Sequence, residues 1–214
     1  MKLQLLTGIA ISSLLAASAA AAQTAQSAGT GYVGIQAAQV DIDIDAPGSP
    51  IYVDSNTLVN IDSISSLKPT AAIAKLGYNV IDFIAIEGRV GAGLTSDSGS
   101  ISGSISQGQN SVAGDLEVDA DLDTLAGLYA VGHVPLGETN VSLYGVLGYT
   151  YIEASVEILG YSATERESGA SYGAGIQAQF TPTVSANLEY MSYLDESDYD
   201  ITAVGVGVNY HYQY

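Results

Sequence analysis

Side chains able to do chemistry are few in this chain and unevenly placed. There are two histidines, His133 and His211, no cysteine, and five basic residues against 23 carboxylates. Without cysteine there is no thiolate nucleophile, no thiolate metal site and no disulfide. A histidine base needs a hydroxyl or carboxylate partner at a place the substrate can reach. Both histidines fall near tight turns or the chain end, away from the long polar segments, so no catalytic residue and no cofactor is expected. Two aspartate runs, Asp41-Ile42-Asp43-Ile44-Asp45 and Asp119-Ala120-Asp121-Leu122-Asp123, invite a calcium reading. Neither is an EF-hand: the sixth positions are Ala46 and Thr124 instead of Gly, and the twelfth are Tyr52 and Ala130 instead of Glu. The expectation is a hydrated acidic surface that gathers divalent cations loosely, with no defined metal site.

Four other charges stand out because their surroundings are apolar: Lys75, Glu87, Arg89 and Glu189. Each lies in a segment of period two, the signature of a strand that shows different faces to different media. Ile84, Ile86, Val90, Ala92 and Leu94 alternate with Glu87, Arg89, Gly91 and Gly93; Val184, Ala186, Leu188 and Tyr190 alternate with Ser185, Asn187 and Glu189. Ala170, Tyr172, Ala174, Ile176, Ala178 and Phe180 share one parity, with Gly169, Ser171, Gly173, Gly175, Gln177 and Gln179 on the other. A buried charge is tolerable only when paired, so the four are expected to form a structural polar network. If the second hairpin turns about Ile81, Lys75 lies opposite Glu87. A proton or ion path through the same residues is the alternative use.

The alternating segments number eight, near 31–43, 70–78, 83–95, 121–134, 141–155, 168–180, 184–193 and 201–214. Tight turns at 79–82, 135–140 and 181–183 alternate with longer connections at 44–67, 96–120, 156–167 and 194–200. The second long connection contains Ser96-Asp97-Ser98-Gly99-Ser100-Ile101-Ser102-Gly103-Ser104-Ile105-Ser106, either a flexible loop or a hairpin rising above the rest. Asp82 and Glu138 sit at tight turns, Glu87 and Glu189 within strands, and the other carboxylates in the long connections or beside them. That sorting suits a cylinder whose waist lies in hydrocarbon, where charge is costly. A soluble barrel with an apolar interior is the competing arrangement. It is opposed by a polar parity rich in Gly and poor in charge, which suits a narrow lumen better than open water. Apolar residues make up 47% of the chain but are dispersed, and no continuous apolar helix follows the first residues. Tyr is abundant at 15 with no Trp, and Tyr78, Tyr190, Tyr210, Tyr212 and Tyr214 fall near strand ends, as girdle residues do. The expected fold is therefore all-β: an eight-stranded antiparallel up-and-down transmembrane β-barrel.

The start, MKLQLLTGIAISSLLAASAAAAQ, has a basic n-region at Lys2, a short apolar core from Leu5 to Leu15 and small residues Ala20-Ala21-Ala22 before Gln23. It reads as a signal peptide over residues 1–22, cleaved to leave a barrel domain of residues 23–214. Lys68, Lys75, Arg89 and Arg166 would be the only basic residues left, so nucleic acid is excluded as a partner.

The segments GYVGIQA, LGYNVIDFIAIEGRVGAGL, VPLGETNVSLYGVLGYTY, SYGAGIQAQFTPTVSANLEY and GVGVNYHYQY together resemble the outer-membrane β-barrel family of Gram-negative bacteria, porin-like and similar to the OmpA-type transmembrane domain. The resemblance covers essentially all of residues 23–214. It implies a cell outer-membrane location among lipids and lipopolysaccharide, with long loops extracellular and both mature termini periplasmic. It also implies that Val206, Val208, Tyr210, Tyr212 and Tyr214 form a C-terminal assembly signal read by the barrel insertion machinery. Such signals more often close on Phe, so Tyr214 departs from the pattern. Because the segment ends on its eighth strand, no peptidoglycan-binding domain is expected. The expected role is non-enzymatic, a structural and surface protein of the envelope with acidic loops. A narrow porin-like channel for small solutes or ions, and adhesion or partner recognition through the long loops, are the alternatives.

Overall fold

A bilayer interior offers backbone amides no water, so strands can cross it only if every edge finds another strand. In the computed structural model, which describes residues 26–44, 51–52, 57–107, 110–158, 161–195 and 199–213, the ladder closes on itself. The elements are β1 (Thr30–Ile44), β2 (Ile51–Tyr52), β3 (Thr57–Ile64), β4 (Thr70–Ile81), β5 (Ile84–Thr95), β6 (Asp97–Gln107), β7 (Asn110–Pro135), β8 (Val141–Ile158), β9 (Tyr161–Thr181), β10 (Val184–Asp195) and β11 (Tyr199–Gln213). Around the ring run β1, β4, β5, β7, β8, β9, β10 and β11, each antiparallel to its neighbours, with β11 returning to β1. This is the eight-stranded barrel that the alternation predicts. Residues 1–22 lie outside the described residues, as does Tyr214.

The two parities meet different surroundings. Ile35, Leu94, Leu147 and Val206 point outward and are 73%, 63%, 65% and 60% exposed. A continuous apolar belt of this kind is insoluble in water and at home in lipid. The inward parity is filled by side chains in three tiers. At the loop end, Val40, Leu122, Leu125, Ile152, Leu194 and Ile201 are buried together. Lys75, Glu87, Arg89 and Glu189 occupy the middle with Gln36, which donates to Glu189, and Asn187, Asn209, Gln177 and Gln179 lie toward the turn end.

The apolar tier departs from the expected lumen of small and polar residues. Register shifts account for two of the six: bulges between Leu122 and Thr124 and between Ser192 and Leu194 turn Leu122 and Leu194 inward, whereas Val40, Leu125, Ile152 and Ile201 continue the inward parity of their strands. An extra residue reverses every side chain beyond it.

The second hairpin also differs from expectation. Its turn is centred on Asp82 and Phe83, with a register shift between Asn79 and Ile81, so Lys75 pairs with Arg89 and Gly77 with Glu87. Phe83 adopts φ 65°, unusual for an aromatic residue. Its amide donates to Gln26 O at 2.8 Å and its carbonyl accepts from His133 N at 2.8 Å, which hold it there. Further along the hairpin, Gly77 is required opposite Tyr32, because a Cβ there would lie 2.1 Å from the Tyr32 ring.

Among the described residues, the long connections are largely strand instead of loop. A strand needs about 10 residues to cross the hydrocarbon, whereas β7 has 26, β8 18 and β9 21. The surplus continues past the barrel as a sheet, with β6 paired to β7 from Asp97↔Ala120 to Gln107↔Asn110 and β3 paired to β6. Among the described residues the extension is built from β2, β3, β6, β7, β8 and β9, while β1 is described to Ile44 and β10 to Asp195.

Candidate functional site

The four charges that the sequence singles out are gathered in the middle of the lumen. Arg89 projects from β5 and reaches Glu189 on β10 with two parallel bonds, Nη1 to Oε1 at 2.7 Å and Nη2 to Oε2 at 2.9 Å. Its Nε donates to Glu87 Oε1 at 2.6 Å. Lys75 on β4 donates to Glu189 Oε1 at 3.1 Å, not to Glu87, because the register sets it beside Arg89. Like charges on neighbouring strands repel, and the shared carboxylate of Glu189 on the far wall offsets that repulsion. Two acids and two bases balance, and all four side chains are sealed from water.

Tyrosines complete the network, and the sequence reading missed them. Tyr32 donates to Glu87 Oε2 at 2.5 Å. The Arg89 guanidinium lies 4.6 Å from the centre of the Tyr129 ring, a cation–π contact. Tyr129 shares a hydrogen bond with Thr150 at 2.7 Å, Thr150 with Ser171 at 2.5 Å, and Ser171 donates to Tyr193 O at 2.9 Å. The signal for Tyr32 was present: it shares parity with Gly34 and Gln36, which face the lumen. Of the girdle tyrosines, Tyr78, Tyr190 and Tyr210 do face outward, and Tyr212 is half-buried.

The proposed assembly-signal residues Val206, Val208 and Tyr210 stand on the outward parity of β11, 60%, 50% and 54% exposed. The histidines lie at the turn end. His211 Nε2 is 2.8 Å from Ser185 Oγ, and His133 Nδ1 is 3.2 Å from Gln26 Nε2. On the extension, Asp115, Glu117, Asp119, Asp121 and Asp123 are exposed along β7. Among the described residues, no three His, Cys, Asp or Glu side chains converge as a metal-binding group. Two exposed ion pairs mark the loop end: Lys68 with Asp41 at 2.8 Å, and Arg166 with Glu153 at 2.8 Å. The Asp41 carboxylate holds the Lys68 ammonium above its ordinary pKa, and hydrogen bonds from Arg166 hold the Glu153 carboxyl below its own.

A closed ladder, an apolar exterior and a lumen stoppered by paired charges define a transmembrane β-barrel. The chain belongs to the outer membrane protein β-barrel domain family, whose sequence profile matches residues 9–212. Its place is the outer membrane. Among solved structures, Ail, the attachment invasion locus protein of Yersinia pestis, superposes with a TM-score of 0.52 at 21% identity, covering 86% of this chain and 99% of Ail. OprG of Pseudomonas aeruginosa gives 0.52 at 14% identity, covering 89% and 99%, and the neisserial surface protein NspA gives 0.51 at 14%, covering 85% and 98%. Ail has also been solved in complex with the heparin analogue sucrose octasulfate. No curated protein sequence matches this chain significantly.

Removing one partner of a buried ion cluster strands the others, whereas an exposed pair is replaced by water. Arg89→Met is expected to destabilise the barrel by about 3–5 kcal/mol. Lys68→Met, at an ion pair whose side chains are 47% and 31% exposed, is expected to cost under about 1 kcal/mol. Urea unfolding of both variants in lipid vesicles checks the contrast.

Proposed function

We propose that this protein is a non-enzymatic, sealed barrel of the bacterial outer membrane that serves as a structural and surface element of the envelope. The observation that carries the reading is the Arg89–Glu189–Lys75–Glu87 network in the middle of the lumen. An eight-stranded barrel leaves an interior about wide enough for side chains to fill, and here charge pairs and tyrosines fill it. The buried His211 has its Nε2 2.8 Å from Ser185 Oγ, at the turn end of the lumen. The signal peptide over residues 1–22 is cleaved on export, the sheet extension faces outward from the cell and both mature termini lie in the periplasm. Outer-membrane lipids and lipopolysaccharide surround the belt. Divalent cations collect at the acidic extension as counter-ions. In planar bilayers the purified barrel is expected to give no single-channel steps; steady steps would show that the lumen is a pore.

The insertion machinery reads the closing strand, with Val206, Val208, Tyr210, Tyr212 and Tyr214 as the signal. Deleting Tyr214 is expected to reduce the heat-modifiable barrel recovered from outer membranes several-fold. Recovery equal to the parent would remove that role.

A second reading, partner recognition, is favoured by the sheet extension and its exposed carboxylates. The sign of its charge points to basic protein surfaces and away from polyanions such as the sulfated ligand solved with Ail. Changing Asp115, Glu117, Asp119 and Asp121 to Asn is expected to weaken adhesion of these cells to polylysine-coated surfaces at least tenfold. Unchanged adhesion by a variant displayed at parental levels argues against it.

A further inference from the structure

A segment ahead of a first strand frays unless something ties it down. Residues 26–29, which precede β1 at the turn end, are tied at every step. Gly29 N donates to Asn79 O at 2.9 Å, and Ala28 N donates to Asp82 Oδ1 at 2.8 Å, both on the hairpin of β4 and β5. Ser27 O accepts from Thr30 N at 3.2 Å and from Thr30 Oγ1 at 2.7 Å, closing a turn. Gly29 takes φ 83°, which suits glycine, and lets the chain leave the line of β1 there.

Gln26 then reaches the opposite wall. It is 3% exposed, its Nε2 donates to Ser142 Oγ at 2.9 Å, and the same atom lies 3.2 Å from His133 Nδ1. Ser142 stands on β8, four steps from β1 by either route around the ring, so no ladder joins the two strands and this contact spans the mouth of the lumen. The positive φ of Phe83 has a use in the same arrangement. Phe83 N donates to Gln26 O and Phe83 O accepts from His133 N, each at 2.8 Å. Strain of this kind persists only where the surroundings over-determine it.

We propose that residues 26–29 form a latch across the turn-end mouth of the lumen. The turn at Asp82 and Phe83 grips its backbone, and the Gln26 carboxamide fastens it to β7 and β8. Lifting it breaks a handful of hydrogen bonds and no ladder pair, which places it among the local openings that need least free energy. A lifted latch admits small solutes to the turn end of the lumen as far as the charged tier. The Arg89–Glu189 closure above it is built from other residues, so loss of the latch leaves the sealed barrel standing.

The chain has no cysteine, so a single introduced thiol reports on the latch. Ser142→Cys sets a thiol beneath the Gln26 carboxamide, and Ala28→Cys sets one on an exposed position as the reference. Each full chain is folded in detergent, checked by heat-modifiable migration and treated with a charged methanethiosulfonate. The thiol at position 142 is expected to react at least about tenfold more slowly than the one at 28. Adding Gln26→Ala is expected to raise its rate about tenfold. Adding Asp82→Ala, which removes only the grip on Ala28, is expected to raise it as well, an effect that packing by Gln26 alone would not give. Equal rates at 142 and 28, or an Asp82→Ala variant no faster than its parent, overturns the proposal. If Ser142→Cys does not fold, amide exchange in the cysteine-free chain gives a second reading. The Phe83 amide is expected to be protected in the parent and to exchange about tenfold faster in Gln26→Ala, which keeps the backbone acceptor; equal exchange overturns the latch.

Discussion

Hydrocarbon cannot hydrogen-bond a peptide group, and that one incapacity shapes the whole molecule. An open sheet edge in lipid would leave each N–H and C=O bare at a cost of several kcal/mol. Closure of β11 onto β1 removes the edge. Closure in turn imposes period two, because one parity must meet lipid and the other a space too narrow for bulk water. The same requirement then reaches the side chains inside. The bidentate Arg89–Glu189 pair, the Tyr129–Thr150–Ser171 hydroxyl run and the Tyr32–Glu87 bond satisfy polar atoms that water does not reach.

The lumen grades from apolar at the loop end, through compensated charge, to carboxamides at the turn end. Each tier is a different answer to confinement. Val40, Leu122, Leu125 and Leu194 need no partners, so they pack where the wall passes into the wet extension. The charges need one another. Glu189 carries the most of that burden, accepting from Arg89, Lys75 and Gln36 at once.

How legible this was in the sequence depends on which medium each segment meets. Where lipid touches one face, alternation is compulsory, so the strands around Ile84–Leu94 and Ala170–Phe180 could be read with their faces assigned. Lys75, Glu87, Arg89 and Glu189 were legible because nothing else charged lies in those segments. Their pairing was not, since it turns on a one-residue shift between Asn79 and Ile81 and on which strands face each other across the ring. Leu122 and Leu194 were hidden by bulges at Leu122/Thr124 and Ser192/Leu194, which leave no mark in composition, whereas Val40, Leu125, Ile152 and Ile201 stood on the lumen parity all along. Beyond the membrane both faces of a sheet are wet, and the pressure for alternation lapses. Even so, the run from Asp115 to Asp123 alternates acid with apolar residues, a strand signal that its charge obscured.

The lopsided extension gives an otherwise near-cylindrical molecule a heading. A barrel with uniform loops has no preferred azimuth, so neighbours in the bilayer plane meet it alike from every direction. Among the described residues, β3 and β6 to β9 rise as a wall on one flank, whereas β1, β10 and β11 are shorter on the other. Anything approaching the raised flank from above meets an acidic parapet along β7. Rotation about the membrane normal thereby becomes a variable that a crowded surface can set.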